Sequence, residues 1–215
     1  MRVLVVTAVA AEADSVSAGL TTAAARVLAA GVGPAAAAAA TATELSLAAH
    51  RGSPYDVVIS AGIGGGFRPH APVGSLVVAD AIVAADLGAA GPDGFLSVAE
   101  LGFGRATHLP PAGLAARAAE AAGALYAPVL TVSTVTGTAE RAAELSRCHP
   151  RAAAEAMEGF GVAEAAAAHG LPVLEVRAIS NAVGPRDRDA WRVGDALAAL
   201  RTGFQRIGPL LEESS

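Results

Sequence analysis

Short apolar, β-branched runs alternate with longer alanine-rich stretches along the whole chain. Arg2–Thr7, Arg26–Ala30, Asp56–Ser60, Leu76–Val83, Pro128–Val132 and Val173–Ile179 read as strands, bounded mostly by Gly, Pro, Asp or Ser. The stretches from Ala35 to His50, Pro111 to Gly123, Ala139 to Ser146, Glu155 to about Gly170 and Val193 to Leu211 read as helices, with Pro34 well placed at the first turn of its helix. Ala8–Ala13 reads as a turn carrying Glu12, Ala61–Phe67 (A-G-I-G-G-G-F) as a glycine loop, and Ser133–Thr138 as a polar loop. Gly88–Gly104 reads as a long excursion, turning at Gly91-Pro92-Asp93-Gly94. Strands alternating with helices predict an α/β fold: one three-layer α/β/α domain over residues 1–215, with a central mixed, mostly parallel twisted sheet. The strand Val173–Ile179 is interrupted only by Glu175 and Arg177 and is expected to stop at Ser180-Asn181. Polar residues at the carboxyl end of a parallel strand are where such folds place a ligand.

Composition narrows the function. Hydrophobic residues make up 53% of the chain and charged residues 16%, which excludes disorder as the main state. A formal charge of −5 opposes binding to a nucleic-acid backbone. Cys148 is the single cysteine, so no internal disulfide forms, and a reducing compartment is expected. The chain begins directly as a strand, without the pattern of a signal peptide, so a cytoplasmic location is expected. The apolar run Val27–Thr43 contains Gly31, Gly33 and Pro34 and is not read as a membrane helix. All fifteen Lys+Arg residues are arginine; without lysine there is no Schiff-base lysine and no P-loop lysine.

The residues with chemistry each have a plain structural reading as well. The glycine run Ala61–Phe67 lacks the P-loop pattern and departs from the dinucleotide fingerprint; it serves either as a tight turn or as a close approach for a ligand. The turn Gly31-Val32-Gly33 has the same two readings. Glu12 and Glu158 suit solvated carboxylates at helix starts as well as catalytic ones. Asn181 could organise a turn, and Arg186, Asp187, Arg188 and Asp189 a solvated charge cluster. The five histidines are scattered, no grouping has metal-ligand spacing, and no cofactor is implied. Spacing alone leads to a small-molecule α/β enzyme with its ligand at the strand ends.

Three segments together resemble the nucleoside phosphorylase and nucleosidase superfamily: V-T-A-V-A-A-E at residues 6–12, V-V-I-S-A-G-I-G-G-G-F at 57–67, and A-M-E-G-F-G-V-A at 156–163 followed by V-R-A-I-S-N at 176–181. Within it, the chain is similar to the hydrolases of methylthioadenosine and S-adenosylhomocysteine, and most of all to the futalosine hydrolases, through the continuation S-N-x-V-G-P-R-D-R-x-A-W. The resemblance implies hydrolysis of a purine nucleoside, with Glu12 as the base that activates water. It implies Glu158 as the carboxylate that binds ribose hydroxyls, Met157 against the sugar face, and the loop of Ala61, Gly62, Ile63 and Gly64 lining the pocket. It further implies Trp191 covering the 5′ side and a homo-oligomer, a dimer or tetramer. Asn181 stands where adenine-specific members have an Asp. An amide cannot act as a general acid, but it offers both a donor and an acceptor to a 6-oxopurine. Arg186 and Arg188 are candidates to bind a carboxylate on the substrate's 5′ extension. A phosphorylase would need a cation in the first turn, where this chain instead has Glu12 and Asp14.

Overall fold

The computed structural model describes residues 1–20, 24–92 and 94–213. Asp93, in the expected turn of the excursion, lies outside the described residues.

The chain opens with β1 (Val3–Thr7), α1 (Ala10–Gly19), β2 (Ala25–Ala29) and α2 (Pro34–His50). It continues through β3 (Val57–Gly66), β4 (Leu76–Ala84), a small hairpin of β5 (Gly88–Gly91) and β6 (Gly94–Ser97), and β7 (Thr107–His108). Then follow α3 (Ala112–Ala122), β8 (Leu125–Thr131), α4 (Ala139–Cys148), β9 (Ala154–Ala156), α5 (Gly159–Ala168), β10 (Val173–Ala182) and α6 (Val193–Glu213), with a single 3-10 turn at Arg188–Ala190 before α6.

The main sheet has eight strands and is mixed. Its path runs β10-β4-β8-β9-β3-β1-β2, and β10 also pairs with β3, so the strands from β3 to β10 close into a ring with β1 and β2 as an extension. Strand β1 lies parallel between β2 and β3, and β3 lies parallel to β10. Strands β4 and β9 supply the antiparallel contacts with β10 and β3.

Helices cover both faces, as alternating strands and helices require. Buried residues of α2 and α5 (Ala37, Leu45, Val162, Ala166) pack on one face with Leu4, Val58 and Ile179. Those of α1, α3 and α6 (Val16, Ala115, Leu200, Phe204) pack on the other with Val5, Ile59 and Val176. Each fully buried aliphatic chain contributes roughly 1.5–3 kcal/mol relative to exposure. Alanine lets α2 and α5 approach closely, and Gly161 is indispensable there: a Cβ would stand 2.1 Å from the Pro34 carbonyl oxygen. Among the described residues no helix is long and apolar enough to cross a membrane.

Four local expectations change. The glycine run is not a loop: β3 continues through it to Gly66, pairing with β10 on one side and β9 on the other. Met157 and Glu158 precede α5 instead of lying within it, because Ala154–Ala156 is drawn into the sheet as β9. Strand β10 continues past Ser180 to Ala182, with a bulge between Ile179 and Asn181. Helix α1 starts at Ala10, so Glu12 lies in its first turn.

Candidate active site

The carboxyl ends of β1, β3 and β10 meet the start of α5 and the turn before α2. Here the chain brings together Glu12, Glu158 and a residue the sequence reading passed over, Arg177.

Glu12 is only 4% exposed. One carboxylate oxygen, Oε2, accepts from the backbone N–H groups of Ala8 at 2.9 Å and Val9 at 3.3 Å. The other, Oε1, accepts from the Ile63 N–H at 2.9 Å. A carboxylate has about four lone-pair positions, so one on Oε1 is left for a further donor. Helix α1 contributes the positive end of its dipole. Gly62 makes the arrangement possible, since a Cβ there would stand 2.6 Å from Glu12 Oε1 and 2.8 Å from Arg177 Nη1. The glycine serves close approach by the protein's own charged groups; its φ is not in the left-handed region.

Arg177 is 1% exposed and fully engaged at each nitrogen. Its Nε donates to Glu175 Oε1 at 2.9 Å, its Nη1 to Glu158 Oε2 at 3.2 Å, and its Nη2 to Ser60 Oγ at 3.0 Å. In-register pairing places these groups: Glu175 lies opposite Ser60 and Arg177 opposite Gly62. Burial pulls the guanidinium pKa down, but Glu175, Glu158 and Glu12 together outweigh it, and the pKa is raised. Burial pushes the Glu175 carboxyl up despite Arg177 beside it. The arginine is the firmer member: guanidinium stays protonated in proteins, and every nitrogen here has a partner. Glu175 Oε2 has no hydrogen-bond partner, and Gly159 is packed so closely that a Cβ would fall 2.3 Å from either oxygen.

Glu158 Oε1 accepts from the Gly33 N–H at 3.2 Å. Gly33 has φ +92°, in the region that favours glycine, so the Gly31–Gly33 turn is shaped to aim that N–H at the carboxylate. With one bond on each oxygen, Glu158 keeps two lone-pair positions for outside donors. Glu12 and Glu158 set two carboxylates against the one guanidinium, an excess of negative charge even with the Glu175 carboxyl pushed up by its burial.

Asn181, near the end of β10, is half-buried. Its Oδ1 accepts from Ser180 Oγ at 2.9 Å, and its Nδ2 donates to the Ala182 carbonyl at 3.0 Å. Trp191 is brought beside it because the Arg192 N–H donates to the Ser180 carbonyl at 2.8 Å. Met157, Ile63 and Gly64 are partly exposed, and Ile63 packs against the cluster of Val16 and Leu200. Ala61 is 1% exposed and packs in the core with Val16 and Leu200, so its side chain does not line the site. Arg186 and Arg188 are exposed on the loop leading to Trp191, and the Arg186 N–H donates to the Gly137 carbonyl at 3.2 Å. The sequence carried one signal for the missed pair. Glu175 and Arg177 share one face of a strand otherwise apolar on both sides, and charges at such positions are almost always paired.

The model of the phosphorylase superfamily matches residues 11–212. A futalosine hydrolase of Streptomyces coelicolor is 71% identical over 161 residues, covering 75% of this chain and 68% of that protein. A futalosine hydrolase of Acidothermus cellulolyticus is 46% identical over 229 positions, covering 95% and 89%. The fold is shared with the 5′-methylthioadenosine/S-adenosylhomocysteine nucleosidase of Neisseria meningitidis, solved with methylthio-immucillin-A. That structure superposes with a TM-score of 0.81 at 19% identity, over 97% of this chain and 100% of the other.

Proposed function

The chain belongs to the phosphorylase superfamily and, within it, to the same family as the futalosine hydrolases, and from that premise we propose that it hydrolyses the N-ribosidic bond of futalosine. The products are hypoxanthine and the dehypoxanthinyl sugar derivative, and the reaction serves menaquinone biosynthesis. The observation that carries this reading is the Glu12 carboxylate, fixed by three backbone N–H groups with one lone-pair position free.

As the bond between the sugar's anomeric carbon and the base nitrogen breaks, its electron pair leaves with the base and positive charge develops on the sugar ring. The negative excess of Glu12 and Glu158 over Arg177 stabilises that charge among side chains largely shielded from water. A water bonded to the free position of Glu12 attacks the anomeric carbon and gives up its proton to the carboxylate. Glu158 accepts hydrogen bonds from the ribose hydroxyls. Arg177 fixes Glu158 from behind and acts as a positioning residue. Asn181 offers its amide to the leaving base, donating a hydrogen bond without giving up a proton. The base departs as an anion and takes its proton from solvent, while Glu12 returns to solvent the proton it took from water, so one water accounts for both products. Met157 and Trp191 flank the sugar and its 5′ side, and Arg186 and Arg188 supply cations for a carboxylate on the 5′ extension.

The same negative excess opposes a phosphate nucleophile, which favours hydrolysis over phosphorolysis. The protein acts in the cytoplasm as a homo-oligomer, a dimer or tetramer. The test is release of free base from futalosine, inosine and methylthioadenosine. The expected result is hypoxanthine from futalosine with little adenine from methylthioadenosine; the reverse order overturns the substrate assignment.

A further inference from the structure

Strand β10 carries one buried carboxylate that the reaction described above does not use. On the face of β10 that meets α2 and α5, Val173 and Ile179 pack in an apolar layer with Leu4, Val58 and Val162. Glu175 and Arg177 stand between them on that face, since alternate residues of a strand point the same way. Glu175 is 0% exposed, and its Oε2 has no hydrogen-bond partner. The fold nonetheless makes room for it, because Gly159 leaves bare the place where a Cβ would fall 2.3 Å from either oxygen. An aliphatic side chain at 175 would suit this layer and leave no oxygen unpaired, so packing gives no reason for a carboxylate here.

The reason is visible at the arginine. A guanidinium commonly meets a carboxylate through two parallel N–H groups. Arg177 makes no such pair. Its Nε goes to Glu175 Oε1, its Nη2 to Ser60 Oγ and its Nη1 to Glu158 Oε2. Glu175 and Ser60 lie opposite each other in the ladder of β10 and β3, so the two together grip the Nε and Nη2 edge. Only Nη1 is left to reach Glu158, over the bare Gly62, where a Cβ would stand 2.8 Å from it. Glu158 is therefore met by one N–H of the arginine on Oε2 and by the Gly33 N–H on Oε1, and each oxygen keeps a lone pair.

We propose that Glu175 is a positioning residue of the sugar site: by holding Arg177 Nε it keeps the guanidinium from closing on Glu158 with two N–H groups, and so keeps that carboxylate open for the ribose hydroxyls. This rests on the reading of the chain as a nucleoside hydrolase and adds to it the residue that tunes the sugar-binding group. Without an acceptor at 175, Nε is a buried unpaired donor, which is costly. The guanidinium then gains by swinging onto Glu158. That takes the lone pairs the ribose needs and cancels the charge that faces the developing sugar cation. The Nε contact needs only an oxygen acceptor, which a carboxyl supplies whether ionised or not.

The test compares wild type with Glu175→Leu, Glu175→Gln and Gly159→Ala. Base release is measured as kcat/KM on futalosine and on its 2′,3′-dideoxy counterpart, and denaturant unfolding is recorded for each protein. The ratio of the two values reports what the ribose hydroxyls contribute within one protein, so a general loss of active enzyme cancels. In Glu175→Leu that ratio should fall by about tenfold or more, because the dideoxy substrate has no hydroxyl contact to lose. Glu175→Gln keeps an oxygen for Nε and should recover most of the wild-type ratio. Gly159→Ala keeps every charge but crowds Glu175, and its ratio should fall in the same direction, although alanine is the better helix former. Should Glu175→Leu not fold, Gly159→Ala decides the matter. An equal fall on both substrates, or a Glu175→Gln ratio as low as that of Glu175→Leu, overturns the Glu175 assignment while hydrolysis of futalosine by wild type stands. If wild type releases only adenine from methylthioadenosine, the futalosine reading falls. The same ratios taken with methylthioadenosine and its dideoxy counterpart then decide the role of Glu175.

Discussion

The two ends of the proposed site, for sugar and for base, are built on opposite principles. At the sugar end, Glu12, Glu158 and Glu175 surround Arg177, all nearly inaccessible and tied to backbone donors or to one another. At the base end, Asn181 is a neutral amide at a half-exposed strand bulge, held by its own neighbours Ser180 and Ala182. A charge cluster that stabilises a developing cation gains from fixed geometry and exclusion of water, since reorganisation at the moment of reaction is what it avoids. A site that chooses among bases needs only the correct pattern of donors and acceptors. Rate should therefore respond to the first region and selectivity to the second, and substitutions can break that division.

The largest effect should come from Arg177. Replacing it with Met removes the one cation among three buried carboxylates and should destabilise the protein by about 3–5 kcal/mol. Denaturant unfolding measures this; an unchanged midpoint would show that the sugar end is not built around the guanidinium.

Next comes Glu12→Gln, which should lower kcat by about 10²- to 10⁴-fold while substrate binding persists. An amide has a single acceptor oxygen for three backbone donors, so a loss of about 1–3 kcal/mol in stability should accompany it. Near-normal turnover would remove Glu12 as the base. Gly62→Ala sharpens the same point without removing a charge. Its Cβ would intrude at 2.6 Å on Glu12 Oε1, and a displaced base should cost about 10²-fold in kcat.

Asn181→Asp addresses the other region. It should move base preference toward adenine by roughly tenfold or more, read from kcat/KM ratios, with stability little changed. A loss of rate on every substrate with no change in preference would contradict the division of labour.

The smallest effect should be on the pH dependence of stability. Burial, reinforced by Asp86 and opposed by Thr136 and Arg141, pushes the Glu155 carboxyl above its ordinary 4.5. A carboxyl with a higher pKa folded than unfolded contributes stability in full below the unfolded value and loses it as pH rises through the folded value. Wild type should therefore lose stability relative to Glu155→Gln as pH rises above about 4.5. Parallel stability curves for the two proteins would contradict this.

The layer order and most strands were legible in the sequence, because strands buried on both faces leave continuous apolar runs such as Val57–Ile59 and Val173–Leu174. Glu12 and Glu158 were legible through the motifs around them. The glycine run was misread for a physical reason: glycine is taken as a sign of turns, whereas Gly62 and Gly65 are strand residues that make room for Glu12, Arg177 and Val183. The bulge at Ser180 could not be seen either, since it depends on how β10 registers against β3. Arg177 showed only as half of a charged pair in an apolar strand; its place among Ser60 and Glu158 was not legible, because Ser60 is far away in the sequence and meets it only across the sheet.

The most direct test of the central claim is product analysis with futalosine at saturating inorganic phosphate. Catalysis by a Glu12-activated water predicts hypoxanthine and a free reducing sugar in equal amounts, at a rate independent of phosphate. Formation of a sugar 1-phosphate would contradict it, and would mean that the negative cluster around Arg177 accepts an anion as its nucleophile.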